Sequence, residues 1–345
     1  MDLKPFKSRC TFAGLLLALA WPAPGRAAAA ALRPEKVVGP EACAECHVEE
    51  IEVWKRTVHR KTLDTLERLP ETGPMLAKLG LGRIKAEKSC QECHYLGKMA
   101  DDEFQITAGI ACESCHGPAA DWVKVHGDYG KGITKDAEPA AHRTARLAQS
   151  AAAGMIMAAD LYSLGTACYS CHIVPDEKLT NVGGHVTGSK DFNLLTWSQG
   201  EVRHTILHTG NKANPEATPE HRRRLYVIGC ILETEFCFRA TANATAKATF
   251  GLTQARRADA ARKQLEKIQA LAPTSELAAV VAVAQATGLR LNNSAELLAA
   301  AGKIAALGRT FADKVTGEQL AGIDGLLPGP ELYQGKPYQV AVPAK

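Results

Sequence analysis

Apolar positions recur at helical spacing in two stretches of the chain, separated by a long middle punctuated by Gly, Pro and His. In the first stretch, Ile51, Trp54, Val58, Leu63 and Leu66 follow one another every three to five residues with few breakers after Pro40, which predicts one long helix over residues 41–69, ended by Pro70. In the second, Leu225, Ile228, Leu232 and Phe236 trace a helix, and further helices are expected over 258–271, 275–287 and 294–311, with breaks at Pro273-Thr274 and Asn292-Asn293. The middle is less regular. Residues 73–82 read as a connection, Phe104-Gln-Ile106 as a short strand, the stretch after Pro118 up to His126 as helical, the Ala-rich residues 140–160 as a helix and 181–188 as a glycine loop. Ser198 and Glu201 have the spacing of a capping box, which would open a helix carrying His204 and His208 one turn apart. Residues 328–345 read as an irregular tail. The pattern is that of a mainly α protein with little regular β, ending in a helical bundle.

Composition adds little to this until the termini and the cysteines are considered. At 46% hydrophobic and 23% charged the chain is ordinary for a globular protein, while aromatic residues are only 6%. Lys4, Lys7 and Arg9 precede an apolar run over 11–21 and small residues over 27–31, which reads as a signal peptide over 1–31 and places the mature chain in the periplasm or otherwise outside the cytoplasm. The run is too short for a comfortable membrane span, so no stable span is expected after cleavage. Most of the net charge of +4 sits in this leader, and Arg222-Arg223-Arg224 is a short basic cluster without interleaved aromatics. No nucleic-acid partner is expected.

The chemistry lies in a pentapeptide that occurs four times. Cys43, Cys46 and His47, Cys90, Cys93 and His94, Cys112, Cys115 and His116, and Cys168, Cys171 and His172 each form Cys-x-x-Cys-His. In this pattern two thiols bond covalently to a haem and the adjacent imidazole takes one axial position on its iron. The chain therefore reads as a carrier of four c-type haems, whose porphyrins would supply the flat apolar surface that its few aromatics do not. All four motifs fall in residues 32–221, so the expected division is a tetrahaem domain there, a bundle over 222–327 and the tail. The eight motif cysteines precede the bundle, which is accordingly expected to be dispensable for haem attachment.

Seven histidines lie outside the motifs, and four irons need at most four of them. His59 follows His47 by twelve residues, ~18 Å along a straight helix, too far for both to bind one iron. The same reasoning separates His126 from His116. His185, fixed in its glycine loop after the fourth motif, and His204 are the further candidates. Met155 and Met157 read as core filler, and Cys230 and Cys237 as buried free thiols.

The run Cys43 to Leu66, with Trp54-Lys-x-Thr-x-His59, together with the Cys-Glu-Ser-Cys-His-Gly-Pro stretch from Cys112 to Pro118, resembles the tetrahaem cytochrome c-554 family. The resemblance covers roughly residues 40–210. It implies a helical fold with closely stacked, mostly bis-His haems; the family takes electrons from hydroxylamine oxidoreductase in ammonia oxidisers, a donor that does not carry over to a chain with an extra bundle. It also implies that His59 serves the third haem, that His126 serves the first, and that the second iron is five-coordinate. No histidine lies between His94 and His116, so the second iron is expected to be open, with His142 or His185 as the residues that could fill it. The segment from Asn181 to His208 is only loosely similar, and the bundle after Arg222 is additional. The expected function is electron transfer between redox partner proteins. The competing reading is a multihaem oxidoreductase acting on a small nitrogen or sulfur compound at one open iron.

Overall fold

The segment after the first motif forms three short helices where the apolar spacing predicts one long helix. In the computed structural model, which describes residues 33–187 and 192–340, α1 (Pro40–Ala44), α2 (Val48–Arg56) and α3 (Val58–Thr65) follow one another with breaks at His47 and Thr57. Thr57 causes the second break. Its backbone is extended (ψ 156°), its hydroxyl donates to the Trp54 carbonyl at the end of α2, and its oxygen accepts from Arg60 N at the start of α3. One side chain thus ends one helix and caps the next, a function that apolar periodicity does not register. The signal peptide read over 1–31 lies outside the described residues.

Residues 73–82, expected as a connection, instead lie mostly in α4 (Thr72–Leu79), which Gly80 ends in the left-handed conformation. The second motif lies on α5 (Lys88–His94). The strand expected at 104–106 belongs to an antiparallel hairpin of β1 (Leu96–Ala100) and β2 (Glu103–Ala108), turned by Asp101 and Asp102, both at positive φ. The third motif forms α6 (Cys112–His116). The residues up to His126 make successive turns rather than a helix, followed by α7 (Ala140–Ala152), so that Met155 and Met157 fall beyond its end. The fourth motif ends α8 (Leu161–His172), and a π-helical turn (Leu179–Gly183) leads to His185.

The helix expected to start at Ser198 does not form. Ser198 is the last residue of α9 (Leu194–Ser198), and the Glu201 carboxylate accepts from Val58 N, 143 residues away, instead of closing a capping box. His204 therefore lies outside any helix and His208 in a short 3-10 turn, so the two do not stack one helical turn apart.

The bundle matches expectation. It consists of α10 (Pro219–Asn243), α11 (Thr249–Leu271), α12 (Ser275–Ala286) and α13 (Ser294–Lys314). Its core does not stop at residue 222. Tyr162 and Tyr169 of α8, Ile173, Phe192, and Leu194 and Leu195 of α9 pack into the same apolar cluster as Ile228, Ile231, Leu232, Phe250 and Phe311. At this seam α8 and α10 touch closely enough that a Cβ on Gly165 would lie 2.4 Å from Leu232 Cδ1. Cys230 and Cys237 are buried and unbonded. Beyond the 3-10 turn Pro330–Leu332, residues 333–340 form no helix or strand and dock on the haem-motif part: Tyr338 donates to Glu49, and Gln334 is joined to Thr196 and Glu201 through its backbone. The chain is mainly helical, with one two-stranded sheet among the described residues. No helix among the described residues is long and apolar enough to cross a membrane.

Candidate haem sites

Each motif histidine faces one histidine supplied by another part of the chain. His47 stands 6.1 Å from His126 between ring centroids, His94 6.2 Å from His185, His116 6.2 Å from His204, and His172 6.2 Å from His59. The spacing is informative, because two imidazoles bonded to opposite sides of one metal at ~2.0 Å per bond place their centroids about 6.3 Å apart. The donor set therefore fits four irons, each between two rings. Among the described residues His142, His208 and His221 have no such partner; His142 bonds Glu138 instead.

Two expectations change. His59 faces His172 of the fourth motif and not His116 of the third, whose partner is His204. The third-motif assignment is what the resemblance implies; the break at Thr57 gives α3 its own direction toward the fourth motif, and His59 and His47 still serve different sites, as their separation along the chain requires. The second motif, expected to have an open iron, has His185 opposite His94. His126 faces His47, as the resemblance implies.

The elements fix the rings as well as bring them together. Nδ1 of His116 lies 3.0 Å from the Ile156 carbonyl, that of His126 2.7 Å from Val123, that of His185 2.8 Å from Val186 and that of His204 2.6 Å from Val202. A proton held on Nδ1 by a carbonyl leaves Nε2 with its lone pair free to bind a metal and increases its basicity. Burial also keeps the rings neutral, lowering His94 to about 4 and His172 to about 3. His47 departs from this pattern: its bond with Glu50 raises it.

The motif cysteines meet in a definite order. The thiols of Cys43 and Cys112 lie close enough to shift each other's ionisation, as do those of Cys93 and Cys171, while Cys115 and Cys168 are pushed up by burial and by each other's motif. Neighbouring motifs thus run first, third, fourth, second. Buried donors without protein partners sit beside this array, among them Trp197 Nε1, whose ring lies 5.0 Å from His172, Trp122 Nε1, whose ring lies 5.2 Å from His126, and Nε of Arg203, next to His204. Orphaned donors at these positions fit a group that brings its own acceptors, as haem propionates do.

Sequence reasoning missed Glu113. It is the second residue of the third motif, only 1% exposed, and its carboxylate accepts from Val38 N at 3.0 Å, Gly39 N at 2.8 Å and Ala119 N at 2.7 Å. It clamps the start of α1 onto α6, and so the first motif onto the third. Its presence inside the most specific stretch of the chain was a signal, but a glutamate between two cysteines reads equally well as solvated.

Residues 42–117 match the model of the family described as cytochrome c554 and c-prime. Over this segment the chain is similar to the cytochrome c554 family. Cytochrome c-554 of Nitrosomonas europaea is 29% identical over 105 residues, covering 28% of this chain. The chain spans 45% of that relative's length. No solved structure matches. The similarity fits a chain that binds haem c covalently, and the matched segment contains Cys43, Cys46, Cys112 and Cys115.

Proposed function

We propose that this protein is an exported tetrahaem c-type cytochrome that carries electrons between redox partner proteins. Its four irons are held by His47 and His126, His94 and His185, His116 and His204, and His172 and His59. The observation that carries the reading is the pairing of all four motif histidines, each with one other imidazole at 6.1–6.2 Å. A haem bound by two imidazoles supplies reversible one-electron transfer and leaves no open position for a substrate.

The chain's own residues do the rest. Motif cysteines that neighbour one another in the order first, third, fourth, second keep the steps between sites short. Imidazoles of His116, His126 and His204 whose Nδ1 faces a backbone carbonyl keep the donor set in one orientation, so little reorganisation accompanies transfer. The arrangement supports a carrier over the oxidoreductase reading, which needs a motif histidine without a partner.

Mass spectrometry and electron paramagnetic resonance of the purified holoprotein test the proposal. The expected result is four covalent haems on a chain cleaved near residue 31, all low-spin. The ring planes differ between sites, 13° for His47 and His126 against 87° for His116 and His204, so the third haem should give the more anisotropic signal. Fewer than four haems would remove the tetrahaem reading. A stoichiometric high-spin signal that responds at once to carbon monoxide would favour catalysis at an open iron.

A further inference from the structure

The extra bundle packs along α8 and α9, and it also fastens the segment that carries one proposed distal ligand. Between α8 and α9, residues 173–187 carry His185, and they do so with little structure of their own: a π-helical turn, Gly183 and Gly184. The segment rests on Leu79 of α4 at Gly183, and among the described residues most of the side-chain hydrogen bonds that fasten it come from the α10–α11 connection or from α11. Glu177 accepts from Thr245 N at 2.9 Å, Thr245 Oγ1 at 2.7 Å and Ala246 N at 3.3 Å. Asn181 Oδ1 accepts from Phe250 N at 3.0 Å, within the first turn of α11, whose own N-cap Ala248 provides no side-chain acceptor. Gln254 donates to the Ile173 carbonyl at 2.7 Å and Arg257 to the Thr187 carbonyl at 3.0 Å, on either side of His185. Arg257 is itself fixed by a two-bonded pair with Glu233 of α10, at 2.7 and 3.0 Å.

We propose that the bundle is a strap that sets the coordination of the second iron, by holding the segment 173–187 so that His185 stays opposite His94. This rests on the reading of His185 as the second distal ligand. The other three distal candidates do not depend on α11. His59 lies on α3, His126 is held by Arg146, whose Nη1 donates to its carbonyl, and His204 is flanked by Asn214 and the tail. His185 alone sits on a glycine-rich segment fastened from outside, so its iron is the one whose sixth position the added domain controls. In this chain Glu177 and Asn181 act as positioning residues: neither belongs to a motif, and both act through the strap.

The rate at which carbon monoxide binds the reduced holoprotein reads out how often a distal imidazole leaves its iron. Glu177 is half-buried and Asn181 exposed, so the double variant Glu177→Ala/Asn181→Ala removes four of the strap's hydrogen bonds without opening the core. It should bind carbon monoxide at one haem of four at least ten times faster than wild type, with four haems still attached. His185→Ala should open that same haem completely, and Asp259→Asn, which breaks pairs with Arg262 and Lys263 on α11 away from the loop, should bind at the wild-type rate. If His185→Ala leaves all four irons low-spin, the ligand reading fails. If His185→Ala opens one iron while the double variant binds at the wild-type rate, the ligand reading stands and the strap is refuted. If Asp259→Asn accelerates binding as much as the double variant, general loosening of the bundle accounts for the effect and the strap is likewise refuted.

Discussion

The haem-motif part and the bundle hold themselves together by different means, although one apolar cluster joins them at α8. The bundle closes helices of 12 to 25 residues over Leu232, Phe250, Leu265, Val280, Ile304 and Phe311, all fully buried. The separate cluster of buried side chains in the haem-motif part is small: Val37, Leu96, Ala108 and Ala111, with Trp54 against it. Its helices are mostly of five to nine residues, too short to be stable alone. What fastens them is a set of polar clamps from side chains to distant backbone, such as Glu113, Glu201, Thr62 on His94 and Arg146 on His126. The first part therefore depends on single polar side chains and on haem, and the second on buried area.

Breaking the comparison at its strongest point means removing Glu113. Glu113→Ala leaves three backbone N–H groups without an acceptor, and at about 1–3 kcal/mol for each buried donor the loss should be about 3 kcal/mol or more. Thermal unfolding followed at the haem absorbance should shift strongly, while unfolding of the bundle, followed by hydrogen exchange in α11 to α13, should not. A single transition in which both parts weaken together would mean that the two behave as one cooperative unit.

His59→Ala is next in size. It removes a ring from between the first helices and the fourth motif, and it should cost ~2–4 kcal/mol and turn one haem high-spin. The pairing with His172 says that this is the fourth haem. Comparison with His204→Ala, which should perturb the third, distinguishes the two assignments. At the seam, Tyr162→Phe removes a buried hydrogen bond to the Glu235 carboxylate at 2.6 Å and should cost ~1–2 kcal/mol. Because Tyr162 belongs to α8 but packs in the bundle core, this loss should appear in the bundle transition.

The same contrast explains what the sequence could tell. The bundle helices were legible because apolar spacing is what builds them, and the four motifs were legible because covalent chemistry fixes their residues. The hairpin strand was legible from Phe104 and Ile106. The long first helix was not, because Thr57 interrupts it through side-chain bonds to Trp54 and Arg60. The capping box at Ser198 failed for a related reason: Glu201 bonds Val58, and no local pattern encodes a partner 143 residues away. The ring opposite His59 differs from the one the resemblance implies, and His204 was named without a partner, since both depend on how short elements turn. His185 was named as a candidate from its glycine loop, but what fastens that loop lies in α11, outside the region where resemblance could guide the reading.

The smallest effect concerns acid. Glu138 carries a two-bonded pair from Arg146, at 2.6 and 2.7 Å, and a bond from His142, and the Arg146 guanidinium above all holds its carboxyl down at about 2. Arg146 in turn donates to the His126 carbonyl and stacks on Tyr129, so the pair steadies the turn that carries the proposed distal ligand of the first haem. A carboxyl whose folded value lies below its unfolded value of 4.5 contributes stability above pH 4.5 and loses it as the pH falls from there toward 2. The haem-motif transition should therefore weaken over this interval more steeply in wild type than in Glu138→Gln, which has no carboxyl to protonate. The bundle transition, in which Glu138 takes no part, should change equally in both proteins. The measurement is the unfolding midpoint at the haem absorbance from pH 6 down to pH 2. Parallel curves for the two proteins would show that Glu138 is not among the clamps that distinguish the haem-motif part from the bundle.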